Sequence, residues 1–315
     1  MGNIGITVAI GYAAAVLFFF ARRLRRGART VGFVLLGGIV LGSAVLLEAK
    51  SLPVRCVVGM VLMIFLMHMW DLHLDPQRGS RLTLGTYAVL VPDYAWSVAR
   101  VGDGHGLDLA LGQRARDAAK AVAGLCLVSV ITVGIFSLDW AVWPFWVEHA
   151  AKSTCLGGWT IWAFQANTAL WRLAGAPAAW FITRNVLCAS SPADFWRQWN
   201  QPMYRWLLEN VYRPLGGRRN PGLAAIGAFA VSGILHVYFF AVIFQRLSGF
   251  VMAFFLLHGL ATVVTRRFRP TGWFRVPAAI LTFSFNTLST VLLLVPIDKR
   301  IPLYVNAIPR WLHLW

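Results

Sequence analysis

Gly222–Phe244 reads GLAAIGAFAVSGILHVYFFAVIF. From Leu223 onward it is apolar for as long as a bilayer-crossing helix requires, about 20 residues. In lipid the backbone polar groups must be satisfied within the segment, so a run of this kind is a helix. Ser232 and His236 stand one turn apart and share a face, with the small Gly233 beside them. Leu223 to His236 is roughly 20 Å along a ~30 Å hydrocarbon core at 1.5 Å per residue. An ionisable side chain at that depth is costly and marks function by default; a hydrogen-bonded packing histidine is the alternative reading from the residues alone. His236 is read as the one ionisable group sunk in lipid.

Seven further runs of the same kind flank it, near Ile4–Ala21, Val31–Leu47, Val54–Trp70, Ala118–Leu138, Gly157–Leu173, Phe250–Val264 and Val276–Val295. The expected architecture is all-α: a polytopic integral membrane protein of about eight transmembrane helices with additional interfacial or re-entrant helices, in one membrane-embedded domain over 1–315. The composition agrees. Of 315 residues 58% are hydrophobic and 13% charged, against roughly 25% charged in soluble domains, and the mean hydropathy is +0.63. A disordered chain is excluded by the apolar content. Leu82–Ala99 is fairly apolar but broken by Pro92-Asp93, and is read as interfacial or re-entrant.

The balance of 29 Lys+Arg against 12 Asp+Glu gives a net charge of +17. No basic segment stands apart from an apolar span, so the charge is assigned to membrane orientation and anionic headgroups, with no nucleic-acid partner. With the N-terminus outside, the inner loops 22–30, 71–120, 172–222 and 266–275 hold 22 of the 29 basic residues. That asymmetry is what the positive-inside rule requires. It places the third inner loop on the cytoplasmic side of a bacterial inner membrane or an ER-type membrane. Arg22, Arg23, Arg25, Arg26 and Arg29 follow the first span rather than precede it, so that span is read as retained, not as a cleaved signal.

The third inner loop departs from simple loop composition. Ser191 with Asp194 forms an N-terminal capping signature, with Pro192 at the first helical position. Trp196, Trp199, Met203, Trp206 and Leu207 recur at steps of three and four, the stripe of an amphipathic helix lying in the membrane interface, kinked or interrupted at Pro202.

Three pieces stand in order here: Asp-Phe-Trp-Arg-x-Trp-Asn over 194–200, Val-Tyr-x-Pro-Leu over 211–215, and Val-Ser-Gly-x-x-His over 231–236. Together they resemble the membrane-bound O-acyltransferases. The short chain and the Ser-Gly-x-x-His form are most similar to the wax-synthase branch. The resemblance is concentrated in 190–240, the motif-bearing core. It implies transfer of an acyl group from acyl-CoA, a co-substrate rather than a bound cofactor, to a hydroxyl acceptor. His236 and Asn200 are then the catalytic residues. Trp196 and Trp199 would shape the substrate tunnel. Arg197, Arg205 and Arg213, with Arg218 and Arg219, would meet the CoA phosphates, and Tyr212 and Ser232 would belong to the substrate site. Where relatives often carry an acidic residue after the His, this chain has Val237; the orienting role would pass to Ser232 or a backbone carbonyl.

The chemistry suits these residue types. A neutral imidazole takes the proton of an attacking alcohol near neutral pH. An amide N–H meets a developing oxyanion. A site among helices keeps water from the thioester. Two other readings stay open: a transporter or flippase, and an inactive relative that binds lipid. No metal is expected. Asp71-x-His73-x-Asp75 is read as a polar membrane boundary, and the Cys56, Cys126, Cys155 and Cys188 spacing offers no CxxC pair. Gly102–Gly106 is read as a connector, and Asn286 as a helix–helix hydrogen-bonding residue. Oligomeric state leaves no mark.

Overall fold

A computed structural model of the chain describes residues 3–48, 50–74, 83–92, 110–173 and 185–313; among these every regular element is helical. Among the described residues six stretches are long and apolar enough to cross a membrane: Ile4–Ala21, Arg26–Leu46, Leu52–Leu74, Leu111–Phe136, Pro221–Phe244 and Gly272–Asp298. The other two expected spans fall on helices, Phe145–Leu173 and the shorter Gly249–Thr265. Gly102–Gly106 and Asp75 lie outside the described residues.

The chain divides into two compact units. The first comprises Met1–Arg100 and Ile234–Ser248. It holds α1 (Ile4–Ala21), α2 (Arg26–Gly42), α3 (Leu52–Leu74) and the short α4 (Leu84–Leu90). Phe18, Leu62, Phe65, Met69, Tyr87 and Val242 form its core. Gly11 permits the close approach of α1 to α3, since a Cβ there would stand 2.6 Å from Leu62. α4 falls in the expected interfacial or re-entrant stretch Leu82–Ala99, of which Leu82 and 93–99 lie outside the described residues. Tyr87 on α4 is fully buried, stacks on Phe19, and donates its hydroxyl to the Ala15 carbonyl at 3.3 Å. Arg55, near the start of α3, is buried and donates to the carbonyls of Leu47 and Val242, both at 2.9 Å.

The second unit comprises Val101–Gly233 and Gly249–Trp315. Here α5 (Leu111–Phe136) and α6 (Phe145–Leu173) form an antiparallel pair. Ala118 and Ala121 meet Ala166 and Ala169, and the ring of Trp162 lies against Gly124, where a Cβ would collide. Small residues at such a seam let helix backbones approach closely in a membrane. α6 begins well before the expected Gly157, because charges that read as loop residues, Glu148 and Lys152, pair with each other in its first turns. The motif segment supplies α7 (Pro192–Gln198) and α8 (Gln201–Leu207). α9 (Pro221–Phe244) contributes residues to both units, and α10 (Gly249–Thr265) follows. The expected last span is two helices, α11 (Arg275–Ser289) and α12 (Val291–Asp298), meeting at Thr290.

Candidate functional site

The motif segment is built by its own side chains. Ser191 Oγ accepts from the Asp194 backbone N–H at 3.1 Å, and Asp194 Oδ2 accepts from the Ser190 N–H at 3.1 Å. This reciprocal pair starts α7, with Pro192 in the first turn where its missing N–H costs nothing. The helix ends at Gln198. Trp199 turns extended, and Asn200 takes the left-handed conformation at φ 38°. Asn is one of the few non-glycine residues that tolerates it. Asn200 Oδ1 then accepts from the Met203 N–H at 3.3 Å and caps α8.

The single stripe-bearing helix is therefore two helices. The break falls at Trp199-Asn200 rather than at Pro202, because Pro202 sits in the first turn of α8, where proline is accommodated. No residue from Ser190 to Tyr212 is exposed. After α8 the chain widens into a π-helical turn, Leu208–Tyr212, and leaves through Gly216 and Gly217, whose φ of 101° and 49° favour glycine. Leu215 fits onto Gly227 of α9, where a side chain would collide.

Trp196 ties α7 to the bundle. Its Nε1–H donates to His258 Nδ1 at 3.0 Å, and His258 Nε2 meets Ser289 Oγ at 2.8 Å. The indole stands edge-on to Phe229 of α9, at 5.3 Å between ring centres and 89° between planes. Ala193 N–H donates to Thr265 Oγ1 at 3.3 Å. His258 is a second intramembrane histidine, 1% exposed, that the sequence reading missed. It has no polar neighbours in sequence, and its partner indole is 62 residues away. His236 is half-buried on α9 and Ser232 on the same helix is buried.

The other expected site residues differ in setting. Trp199 stacks on Phe195 at 5.5 Å and 18° and is tilted against Phe164 of α6. Arg197 pairs with Asp194 at 3.4 Å, and its carbonyl accepts from Gln201 Nε2. Arg205 and Tyr212 are half-buried; Arg213, Arg218 and Arg219 are exposed. Asn286, read as a helix–helix donor and acceptor, leaves its Oδ1 buried and unbonded among the described residues, as do Trp206 Nε1 and Thr262 Oγ1. Buried polar atoms without partners are rare and call for an explanation. Among the described residues no three His, Cys, Asp or Glu side chains gather as a metal would need.

A second polar centre lies in the same unit. Glu148, with no exposed surface, accepts from Lys152 Nζ at 2.6 Å, from the Val305 and Asn306 N–H groups at 2.7 and 3.0 Å, and from Asn306 Nδ2 at 2.8 Å. Lys152 also donates to the Leu303 carbonyl at 2.6 Å. Burial pushes the Glu148 carboxyl up, but these hydrogen bonds outweigh it and hold the group below the usual carboxylate range. Beside it His149 Nε2 meets the Thr287 carbonyl at 3.0 Å, so this nitrogen carries the proton. Nδ1 accordingly accepts from the Tyr304 hydroxyl at 2.7 Å. The i,i+4 spacing of Glu148 and Lys152 is visible in sequence; the return of the 303–306 segment onto it is not.

Comparison with known proteins agrees with the motif. Acyl-CoA–sterol O-acyltransferase 1 of Arabidopsis thaliana is 34% identical over 137 residues, 39% of this chain and 40% of that protein. Sterol O-acyltransferase 2 of Mus musculus is 32% identical over 87 residues, 27% of this chain and 17% of the other. Diacylglycerol O-acyltransferase 1 of A. thaliana is 41% identical over 49 residues, 15% and 9% of the two. The chain thus spans two-fifths or less of the length of these relatives. Residues 125–290, more than half of the chain, match the MBOAT family and take in α7, α8, α9 and α10. The chain belongs to the membrane-bound O-acyltransferase family.

Proposed function

We propose that this protein transfers the acyl group of acyl-CoA to the hydroxyl of a lipid-like alcohol, with His236 as general base and Asn200 as partner of the thioester carbonyl. The observation that carries the reading is the ordered motif: Asn200, which turns the chain between α7 and α8, has an amide of the kind that meets an oxyanion. It lies with His236 inside the stretch that matches the family. The name of the Arabidopsis sterol acyltransferase gives that relative an acyl-CoA donor, which supports the same donor here.

In the proposed reaction the imidazole of His236 takes the alcohol proton as the alkoxide oxygen bonds to the thioester carbon. The tetrahedral oxyanion is met by the Asn200 amide. Its collapse breaks the carbon–sulfur bond, and the departing CoA thiolate takes the proton back from the imidazolium, leaving ester and free CoA. No Ser or Cys nucleophile is needed. Ser232, one helical turn before the base, serves to orient it in place of the acid that Val237 replaces. Arg205 and the exposed Arg213, Arg218 and Arg219 offer guanidinium groups for the CoA phosphates on the cytoplasmic side. Arg197 is engaged with Asp194 and serves α7 first.

The Ser-Gly-x-x-His form supports a long-chain alcohol acceptor of the wax-ester kind over a sterol or diacylglycerol. The test is turnover of oleoyl-CoA by the purified protein in lipid nanodiscs with oleyl alcohol, cholesterol and dioleoylglycerol offered separately. Ester and free CoA should appear in equal amounts, fastest with oleyl alcohol. Absence of ester with every acceptor, with the protein folded, would sink the acyltransferase reading; a preference for cholesterol or dioleoylglycerol would move the acceptor and leave the reaction intact.

A further inference from the structure

We propose that His258 and Ser289 form a one-directional hydrogen-bond clamp on Trp196, making His258 a positioning residue for the motif segment and not a second base. The proposal rests on the acyltransferase reading given above. It starts from the directions the donors impose. An indole Nε1–H can only donate, so His258 Nδ1, 3.0 Å away, holds a lone pair and no proton. At the other end Ser289 Oγ donates its single proton to the Asn286 carbonyl at 3.0 Å. Its contact with His258 Nε2 at 2.8 Å must then be made by an Nε2–H. Two independent ends select the same tautomer. The chain runs indole to imidazole to hydroxyl to backbone carbonyl, and both ring nitrogens are consumed.

The surroundings hold the ring in place. His258 is 1% exposed and lies against Phe254 and Phe285, at 4.2 and 4.8 Å between ring centres. The next residue, Gly259, admits Phe229 of α9, whose Cβ would stand 2.9 Å from an added methyl. Phe229 is also the ring on which the Trp196 edge rests. The indole is thereby seated between α9 and α10, with its one polar atom fixed.

What the clamp holds matters because of where Trp196 sits. Asn200 is four residues further on, past a helix end, in a strained left-handed conformation. Between them Phe195, edge-on to Trp196 at 5.4 Å, stacks on Trp199. Releasing the indole frees α7 to turn and takes Asn200 with it. Misplacement of a group by about 1 Å can cost on the order of 10²-fold in rate without loss of binding.

The test uses the full chain in nanodiscs, with oleoyl-CoA and whichever of the three acceptors the wild type esterifies. His258→Ala should lower kcat by roughly 10- to 100-fold and leave the KM for oleoyl-CoA within about twofold. His258→Gln, whose Oε1 accepts from the indole while its Nε2 donates to Ser289, should recover most of the loss. Trp196→Phe keeps the ring and removes the donor; it should match His258→Ala, and the double variant should be no worse than either single one. Nitrogen-15 spectra of histidine-labelled protein, taken as a difference between wild type and His258→Gln, should show His258 as the neutral Nε2–H form. A histidine that titrates as a catalytic base, additive losses, or a Gln variant as damaged as Ala each overturns the clamp. If His258→Ala does not fold, Trp196→Phe with wild-type kcat overturns it equally. A wild type that esterifies none of the acceptors refutes the acyltransferase reading and the positioning role with it; an active wild type with an unaffected His258→Ala refutes the clamp alone.

Discussion

Two buried polar centres of the second unit, Glu148–Lys152 and Trp196–His258–Ser289, do different work with different means. At Glu148 one carboxylate takes four donors, three of them from the 305–306 segment, and the ammonium partner spends a further hydrogen bond on the same strap. Formal charge is used, and the acceptor positions of the carboxylate are filled. The Trp196 chain carries no charge and is also saturated, but close to it in the chain order stand groups that are not: Trp206 Nε1 on α8, Thr262 Oγ1 one turn beyond His258 on α10, and Asn286 Oδ1 one turn before Ser289 on α11. A fully satisfied network fixes a fold, since each of its atoms is costly to strip. Spare hydrogen-bonding capacity inside the bundle is what a site for a polar reacting group needs. The Glu148 centre fastens the 303–306 segment that follows α12; the motif region is where the chemistry is proposed.

The comparison predicts that damage at the two centres separates cleanly. The largest effect belongs to the proposed base: His236→Ala should lower kcat by roughly 10²- to 10⁴-fold with unchanged thermal unfolding, measured by ester formation on folded protein. Activity equal to wild type would remove His236 from the reaction. Next is Asn200→Asp. Aspartate caps α8 and tolerates the left-handed backbone nearly as well, yet offers no amide N–H. It should cost roughly 10²- to 10³-fold in kcat at little cost in stability; retained activity would show that the amide is not the oxyanion partner.

Glu148→Ala reverses that pattern. It leaves the Lys152 ammonium buried without its partner, which costs about 3–5 kcal/mol of stability, while kcat per folded molecule stays at the wild-type value. Thermal unfolding and the activity of the folded fraction, measured together, check both halves. The pH dependence follows from the sign of the shift. With its folded-state pKa held below the usual value, Glu148 contributes stability that is complete above the ordinary carboxylate range. That contribution is lost as pH falls through the depressed value. The midpoint difference between wild type and Glu148→Ala should be constant from neutral pH down to about pH 5 and shrink at lower pH. The smallest effect is expected of Arg205→Ala, which should raise the KM for acyl-CoA severalfold and leave that for the alcohol alone. An unchanged donor KM would take Arg205 out of the CoA site.

Helix positions were legible because lipid imposes a single strong rule, and α1 over Ile4–Ala21 has the expected bounds. The capping pair at Ser191 and Asp194 was equally plain, since it is local. What stayed hidden was set by partners distant in sequence. His258 is defined by Trp196 and Ser289, and Glu148 by Asn306. So is Arg55, by the Leu47 and Val242 carbonyls. The break in the motif segment was misplaced for a subtler reason. Pro202 reads as the disrupting residue, but proline in a first turn is harmless and the turn is made by Asn200. The residue that carries the proposed chemistry is also the one that ends α7 and begins α8, and only its backbone conformation reveals the second task.

The proposed chemistry requires the thioester carbonyl to lie within reach of His236. An experimental structure of the protein in nanodiscs with a non-hydrolysable oleoyl-CoA ether analogue tests it most directly. The expected result is the carbon that replaces the carbonyl within about 4 Å of the His236 imidazole, a spacing set by hydrogen-bond reach of the reacting oxygen. An analogue seated with that carbon far from His236 would contradict the proposed base.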